Sequence, residues 1–423
     1  MSTLFNIGDK ISTTTEALLP VQKATAGYSL RNIGIKGYNQ PVVKVVRELD
    51  SAEEDFTASE VSDGTLVDWV NGDDTIIYQS DFSEDEDGFS NTRTSITANE
   101  TFEGETEVLK VTVGSVDDNT SYIRKGMFVL LNKYTVTCKV YIPSGNTNVN
   151  RLQIYTGFGT DVEGGISNYL ITTTDEWVNV NLTFIPGSLP TSSGTDLRFW
   201  ASENFNLNLP SSAQGDVFYV KDIEVTRIGS LGQVKVWYDQ FGDNNATQNT
   251  VSEMPKIVSF GALITENGKP ALDMNNGKMN VSTITLSTMS LFFVYLRGGE
   301  DFILTGDTLA SRHRLQVTAT RIYINNTDYL SGITDTSQIQ KLYTTLYSSG
   351  NLDTYENSSQ NNFSSGGSFT GVTGNYIIEN LGDELDVRPA DGLMQEIIIY
   401  DSDQSANKTK IENNINSYYN IYS

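Results

Sequence analysis

Polar and apolar residues alternate along much of this chain in short runs, with the period of two that a half-buried β-strand requires. VVKVVREL, YTVTCKVYI, RLQIYTGF, EWVNVNLTFI, DLRFWAS, DVFYVKDIEVTRIG, VKVWYDQF, FFVYL and IIIY are the main runs. Between them stand clusters of Gly, Asn, Asp and Ser, the residues that make turns. Helix-period patterns are few. The clearest is SANKTKIENNINSYYNIY, where Ile411, Ile415, Tyr418 and Tyr419 share one face and Ser405 is the expected N-cap. Leu66 to Val70 is compatible with a short helix or a short strand. The expected class is all-β, with a short C-terminal helix.

The runs fall into two styles. Residues 1–25 form a polar leader with apolar residues at Leu4, Phe5, Ile7, Ile11, Leu18 and Leu19, read as an attachment arm that orders on a partner. Residues 26–77 hold the strand Val42 to Arg47 followed by acidic loops, with too few apolar residues to close a core alone. The style changes at Asn71 to Thr75. From 78 to 228 come about eight strands over roughly 150 residues, the size of a two-sheet jelly roll. The first style returns at Gly229 and runs to 423. The simplest organisation is one sandwich interrupted by another, since an exposed loop with neighbouring ends tolerates an insertion. Trp69 and Trp237 are then expected in one core, Trp177 and Trp200 in the other.

Charge narrows the partners. The 423 residues carry 53 acidic and 28 basic side chains, a formal net charge of −25. Nucleic acid is not an expected partner, because phosphate binding needs local Lys and Arg excess. Cys138 is the single cysteine, so no intrachain disulfide forms, and its neighbours place it facing a strand-packed core. His313 is the single histidine, between Arg312 and Arg314, with no GxSxG nucleophile motif to serve. The N-terminus MSTLFNIGDKISTTTEALLP has neither the basic lead-in nor the apolar run of a signal peptide, and no stretch approaches the ~20 apolar residues of a membrane span. Extracellular-style β-domains without an export signal point to a virion component.

Two resemblances sharpen this. Asp81 to Ser83, Glu176 to Val180 and Phe218 to Val225, in that order, resemble carbohydrate-binding modules of the β-sandwich type. AGYSLR, PVVKVVREL, VWYDQFGDNNATQ, PKIV and NGKPAL resemble a concanavalin-type sandwich related to the catalytic domain of family-54 arabinofuranosidases, widespread in phage structural proteins. That second likeness covers residues 26–77 and 229 to about 275. The end, DGLMQEIIIYDSDQSANKTKIENNINSYY, resembles the last strand and helix of laminin-G-like and concanavalin-like sandwiches. Together they imply two β-sandwich domains, jelly-roll and concanavalin-like, one inserted into the other.

The module likeness implies a structural Ca²⁺ tying first strand to last, with Asp81, Asp222 and Glu105 as ligands and Glu103 as an alternative helper. It also directs attention to Tyr155, Phe158, Trp200 and Phe205 as platforms on which sugar rings stack. The hydrolase likeness demands two carboxylates ~5–5.5 Å or ~6.5–9.5 Å apart. No motif places such a pair, so no catalytic residue is assigned, and Asp239 reads as a hydrogen-bonding residue at a strand end. The expected function is a non-enzymatic virion component, a head fibre, decoration protein or tail-associated adhesin exposed on the particle. It is expected to contact other virion proteins through its arm and host-surface or mucosal glycans through its sandwiches, without membrane insertion, as a homo-oligomer, a trimer foremost. The alternatives are a glycoside hydrolase acting on host polysaccharide and a bacterial secreted lectin or adhesin.

Overall fold

The computed structural model describes residues 18–21, 23–34, 36, 39–129, 132–155, 168–186, 196–204, 206–275, 277–296, 304–306, 321–324, 327–330, 339–348, 351–360, 372–378 and 392–423. It is a β-protein in which both ends of the chain build one sandwich and the middle builds another. The strand Pro41–Arg47 lies antiparallel to Gly232–Trp237, with Val43 opposite Trp237 and Arg47 opposite Gly232. Val43, Val45, Phe56, Leu66 and Val70 from before the middle segment share a core with Val234, Trp237, Ile257, Met279, Phe293 and Ile397 from after it. Trp237 is fully buried, 5.7 Å from Tyr28 between ring centroids. Trp69 packs partly buried on the same core.

Two local readings need correction. The acidic stretch expected as loop contains the edge strand Glu53–Thr57, paired to Pro41–Arg47. Its alternation is masked in sequence because the outward positions are all acidic while Phe56 alone turns inward, 2% exposed. Lys235 and Lys44 meet Glu53 and Asp55 at 2.5 and 3.8 Å, and charges of this kind blunt an edge against further pairing. A capping box between Thr57 and Glu60 then starts the helix Ala58–Ser62, and Leu66 to Val70 lies in the helix Thr65–Asn71.

The run LMQEIIIY reads as continuously apolar near its end because it is buried on both faces. Ile397 and Ile399 point into the sandwich core, whereas Ile398 and Tyr400 point the other way, onto Ile411, Ile415 and Tyr419 of the helix Lys408–Tyr419. That helix starts at Lys408 with Asn407 at the N-cap position, not at Ser405: the Asp403 carboxylate takes the Ser405 amide at 2.9 Å and holds it in a preceding turn. Leu19 joins the same outer layer, so the leader is already packed by residue 19.

The middle segment forms two facing sheets. One runs in the order Val178–Phe184, Lys133–Tyr141, Val217–Gly229, Glu105–Val113, Thr94–Phe102, with Thr75–Gln79 also paired to Val217–Gly229. The other runs Asn168–Ile171, Arg151–Tyr155, Asp196–Ser202, Tyr122–Gly126, Ser90–Thr92. Val136, Cys138, Val140, Val180, Phe218 and Val220 of the first meet Leu152, Ile154, Leu197, Phe199 and Ile123 of the second. Cys138 is buried in that core, and burial pushes its thiol well above the ordinary range. Neither tryptophan expected there belongs to it. Trp177 packs on the outward cluster of Phe102, Tyr141 and Tyr219, and Trp200 alternates with the core residues Phe199 and Ala201 and so faces out. The two sandwiches abut where Gly229 approaches Gly261: a Cβ on Gly229 would lie 3.0 Å from the Gly261 Cα, so neither backbone leaves room for a side chain.

Candidate functional site: an aromatic and arginine-bearing sheet face

The outward face of the five-stranded sheet follows directly from strand alternation. In RLQIY, Leu152 and Ile154 take the core, leaving Arg151, Gln153 and Tyr155 outside. In DLRFWAS, Leu197, Phe199 and Ala201 go in, and Asp196, Arg198, Trp200 and Ser202 go out. In YIRKG, Ile123 goes in and Tyr122 and Arg124 go out. Register places Trp200 between Gln153 and Tyr122, and Arg198 between Tyr155 and Arg124.

Three rings form a row across these strands. Tyr155 stacks on Trp200 at 5.2 Å and 16°, and Tyr122 closes on its other side at 5.5 Å and 48°. The Arg198 guanidinium lies 5.3 Å from the Tyr122 ring centroid and 5.9 Å from that of Trp200, in cation–π range. Trp200 is only 8% exposed and backs the row, while Tyr155 and Tyr122 are half-buried. Burial raises the Tyr155 phenol, opposed by Arg198, and keeps it a neutral donor.

Polar groups sit beside the rings at the floor of the face. Asp196 receives Arg198 Nη2 at 2.9 Å and Arg124 Nη1 at 3.2 Å. Arg198, Gln153 and Asp196 are 4%, 5% and 6% exposed. Charged and amide side chains so sheltered on an outward face form a preset array of donors and acceptors next to apolar rings, the composition of a polar small-molecule or saccharide site.

The other outward aromatic cluster is built differently. Phe102 stacks on Tyr219 at 3.8 Å, with Tyr141 and Trp177 edge-on around them. The charges beside it are spent on each other: Glu105 and Asp222 meet Lys139 at 3.1 Å each, and Lys221 at 2.7 and 3.5 Å. Those two lysines hold the Glu105 carboxyl below its usual range.

This cluster also bears on the calcium ligands expected from sequence. Glu105 and Asp222 are brought together, but around two ammonium groups. The Asp81 carboxylate is turned to the Ser83 amide at 3.1 Å, and Glu103 adds no third ligand. Among the described residues no group of three or more metal-ligating side chains gathers, and this donor set does not fit a cation. Phe158, Phe205 and His313 lie outside the described residues. Of the glycan candidates, Tyr155 and Trp200 are therefore the pair seen together. Tyr122, Arg198, Arg124, Asp196 and Gln153 were missed, although the alternation in YIRKG and DLRFWAS puts all but Gln153 on one face with Trp200.

Asp239 makes a structural corner. Its Oδ1 accepts the amides of Gly27 and Phe241, each at 3.0 Å, and its Oδ2 those of Gly242 and Asn244, each at 3.1 Å. Neighbouring Gln240 accepts from Ile33 at 2.8 Å and donates to the Ser29 and Arg31 carbonyls at 3.0 and 2.9 Å. The carboxylate is thus committed to backbone, and it stitches Gly27 to the turn after Trp237.

No protein-family model matches the chain, and no curated protein matches it. Among solved structures, it is similar to the CBM22-1 xylan-binding domain of Paenibacillus barcinonensis Xyn10C, at 11% identity and TM-score 0.25, over 37% of this chain and 96% of that domain. The tandem CBM22-1-CBM22-2 domain of the same protein matches at 11% identity and TM-score 0.26, over 77% of this chain and 97% of the tandem. A variant of a carbohydrate binding module of family 29 matches at 14% identity and TM-score 0.24, over 37% of this chain and 92% of the module.

Proposed function

We propose that this chain is a non-catalytic, glycan-binding component of a virus particle that displays its inserted sandwich to host-surface polysaccharide. The observation that carries the binding part is the row Tyr155–Trp200–Tyr122 flanked by Arg198, Asp196 and Gln153 on an outward sheet face. Pyranose rings stack their apolar faces on such rings while their hydroxyls bond to the adjacent polar groups. The particle assignment rests on the resemblance of the divided sandwich to phage structural proteins. In this reading the N-terminal arm attaches the chain to other virion proteins, and the displayed unit is a closed homo-oligomer.

A glycan array probed with the full chain tests the binding part. Retention of at least one polysaccharide class, lost in Tyr155→Ala and kept in a surface variant such as Glu54→Gln, is the expected result. No retention on any class, or retention indifferent to Tyr155, contradicts it. Mass spectrometry of purified particles tests the assembly part, and absence of the chain from them refutes it.

A further inference from the structure

At the junction of the two sandwiches, one strip of surface carries apolar side chains that belong to neither core. Of the seven large apolar side chains exposed among the described residues, three lie together here: Leu49 at 41%, Ile76 at 54% and Ile77 at 37%. Leu49 and Thr75, the residue before Ile76, line one cleft of about 580 Å³ with the half-buried Trp69. Single exposed apolar residues are ordinary, but a contiguous group beside a cleft marks a contact surface. The backbone is open as well. Thr75–Gln79 pairs with Val217–Gly229 on one edge and with no described strand on the other. Ile77 is an extra residue without a partner in that ladder, and both isoleucines are exposed. The edge strand Glu53–Thr57 is guarded by Glu53, Glu54 and Asp55, whereas this one carries no charge along its length.

The charges stand around its rim instead. Asp68 and Asp73 line the cleft and Asp74 adjoins it, all three exposed and none in an ion pair among the described residues. Arg47, the cation of the cleft, is already held by Asp50 at 2.7 Å and lies 4.8 Å from the Trp69 ring centroid. We propose that the strip of Leu49, Trp69, Ile76 and Ile77 docks an extended segment of another protein, one that alternates β-branched with polar residues and carries Lys or Arg at its flanks. The segment adds alongside Thr75–Gln79, covers the isoleucines and Leu49, and pairs its cations with Asp68 and Asp73. A second copy of this chain does not fit: a twofold contact centred on Ile77 sets Asp73 opposite Asp81, like charge against like.

Fluorescence anisotropy of labelled synthetic peptides, titrated with the full chain, tests this. The probe is Val-Thr-Val-Thr-Val between paired lysines; one counterpart has paired glutamates instead, and another keeps the lysines around a Ser-Gly core. The probe is expected to bind at least tenfold more tightly than either counterpart. It is expected to lose at least tenfold in the double change Ile76→Ser with Ile77→Ser, and about threefold in Asp73→Asn. These positions are exposed, and an unchanged melting curve verifies that the variants keep their fold. Equal binding of the glutamate-flanked peptide overturns the basic partner. Equal binding of the Ser-Gly peptide reduces the contact to nonspecific attraction by an acidic surface and overturns the strip. Binding indifferent to both variants, or binding of no peptide, refutes it as well. A concentration-dependent dimer of the chain alone, abolished by the isoleucine changes, assigns the strip to a second copy and overturns the partner proposed.

Discussion

Replacing Asp239 by Asn changes one oxygen of a carboxylate that accepts four backbone amides into a donor. Two of the bonds, at 3.0–3.1 Å, are then lost, and two buried or part-buried amides face an NH₂ group. Hydrogen bonds to a charged group contribute about 1.5–3 kcal/mol each, and an unmet buried donor costs about 1–3 kcal/mol. Partial relaxation of the turn offsets some of this, so the expected loss is about 3–5 kcal/mol, in the large class for single substitutions. Urea unfolding, followed by tryptophan fluorescence and read separately for each transition because two sandwiches need not unfold together, is the assay. With an m-value of ~1–3 kcal/mol/M, the transition that exposes Trp237 moves down by roughly 1–5 M, and the other stays in place. A shift of that transition below roughly 0.3 M would refute the reasoning that this corner holds the divided sandwich together.

Three further outcomes are expected. Glu396→Gln leaves Arg31 buried at 1% exposure without its counter-charge, now 2.7 Å away, and lowers stability by about 3–5 kcal/mol; the double change Arg31→Met with Glu396→Met recovers most of that, as thermal melts will read. Burial raises the Glu48 carboxyl, with Asn132 opposing, so the folded chain holds that proton more tightly than the unfolded one. Its stabilising share is present below the ordinary unfolded value of about 4.3 and lost as pH rises through the raised value, so the stability of Glu48→Gln relative to the parent grows as pH rises above the ordinary glutamate range in paired melts. Cys138, buried and with its thiol raised, is expected to resist a thiol reagent at about pH 8 in the native chain and to react fully in denaturant.

The all-β class was legible because period-two alternation survives wherever one face is wet, as in KYTVTCKVY, where Cys138 sits on the inward positions. It was obscured where the outward positions carry one kind of residue. In Glu53–Thr57 three acids hide a strand behind the look of a loop. The tryptophans misled for the opposite reason: both are apolar by composition, yet strand parity puts Trp200 outside, and Trp177, just ahead of the strand Val178–Phe184, packs on the outward cluster. Trp200 stands out for its ring, and Arg198 shares its face two residues away on the same strand, whereas Tyr122 joins them only once register sets separate strands side by side. Likewise Glu105 and Asp222 looked like cation ligands until the fold set Lys139 and Lys221 between them, pairings between strands far apart in sequence.

Hydrogen–deuterium exchange with and without a retained polysaccharide locates the binding surface. Peptides covering Tyr122–Gly126, Arg151–Tyr155 and Asp196–Ser202 are expected to gain protection on saturation, while Lys133–Tyr141 and the corner around Asp239 stay unchanged. Protection falling instead on the strands bearing Phe102, Tyr141 and Tyr219, or on the divided sandwich alone, would contradict it.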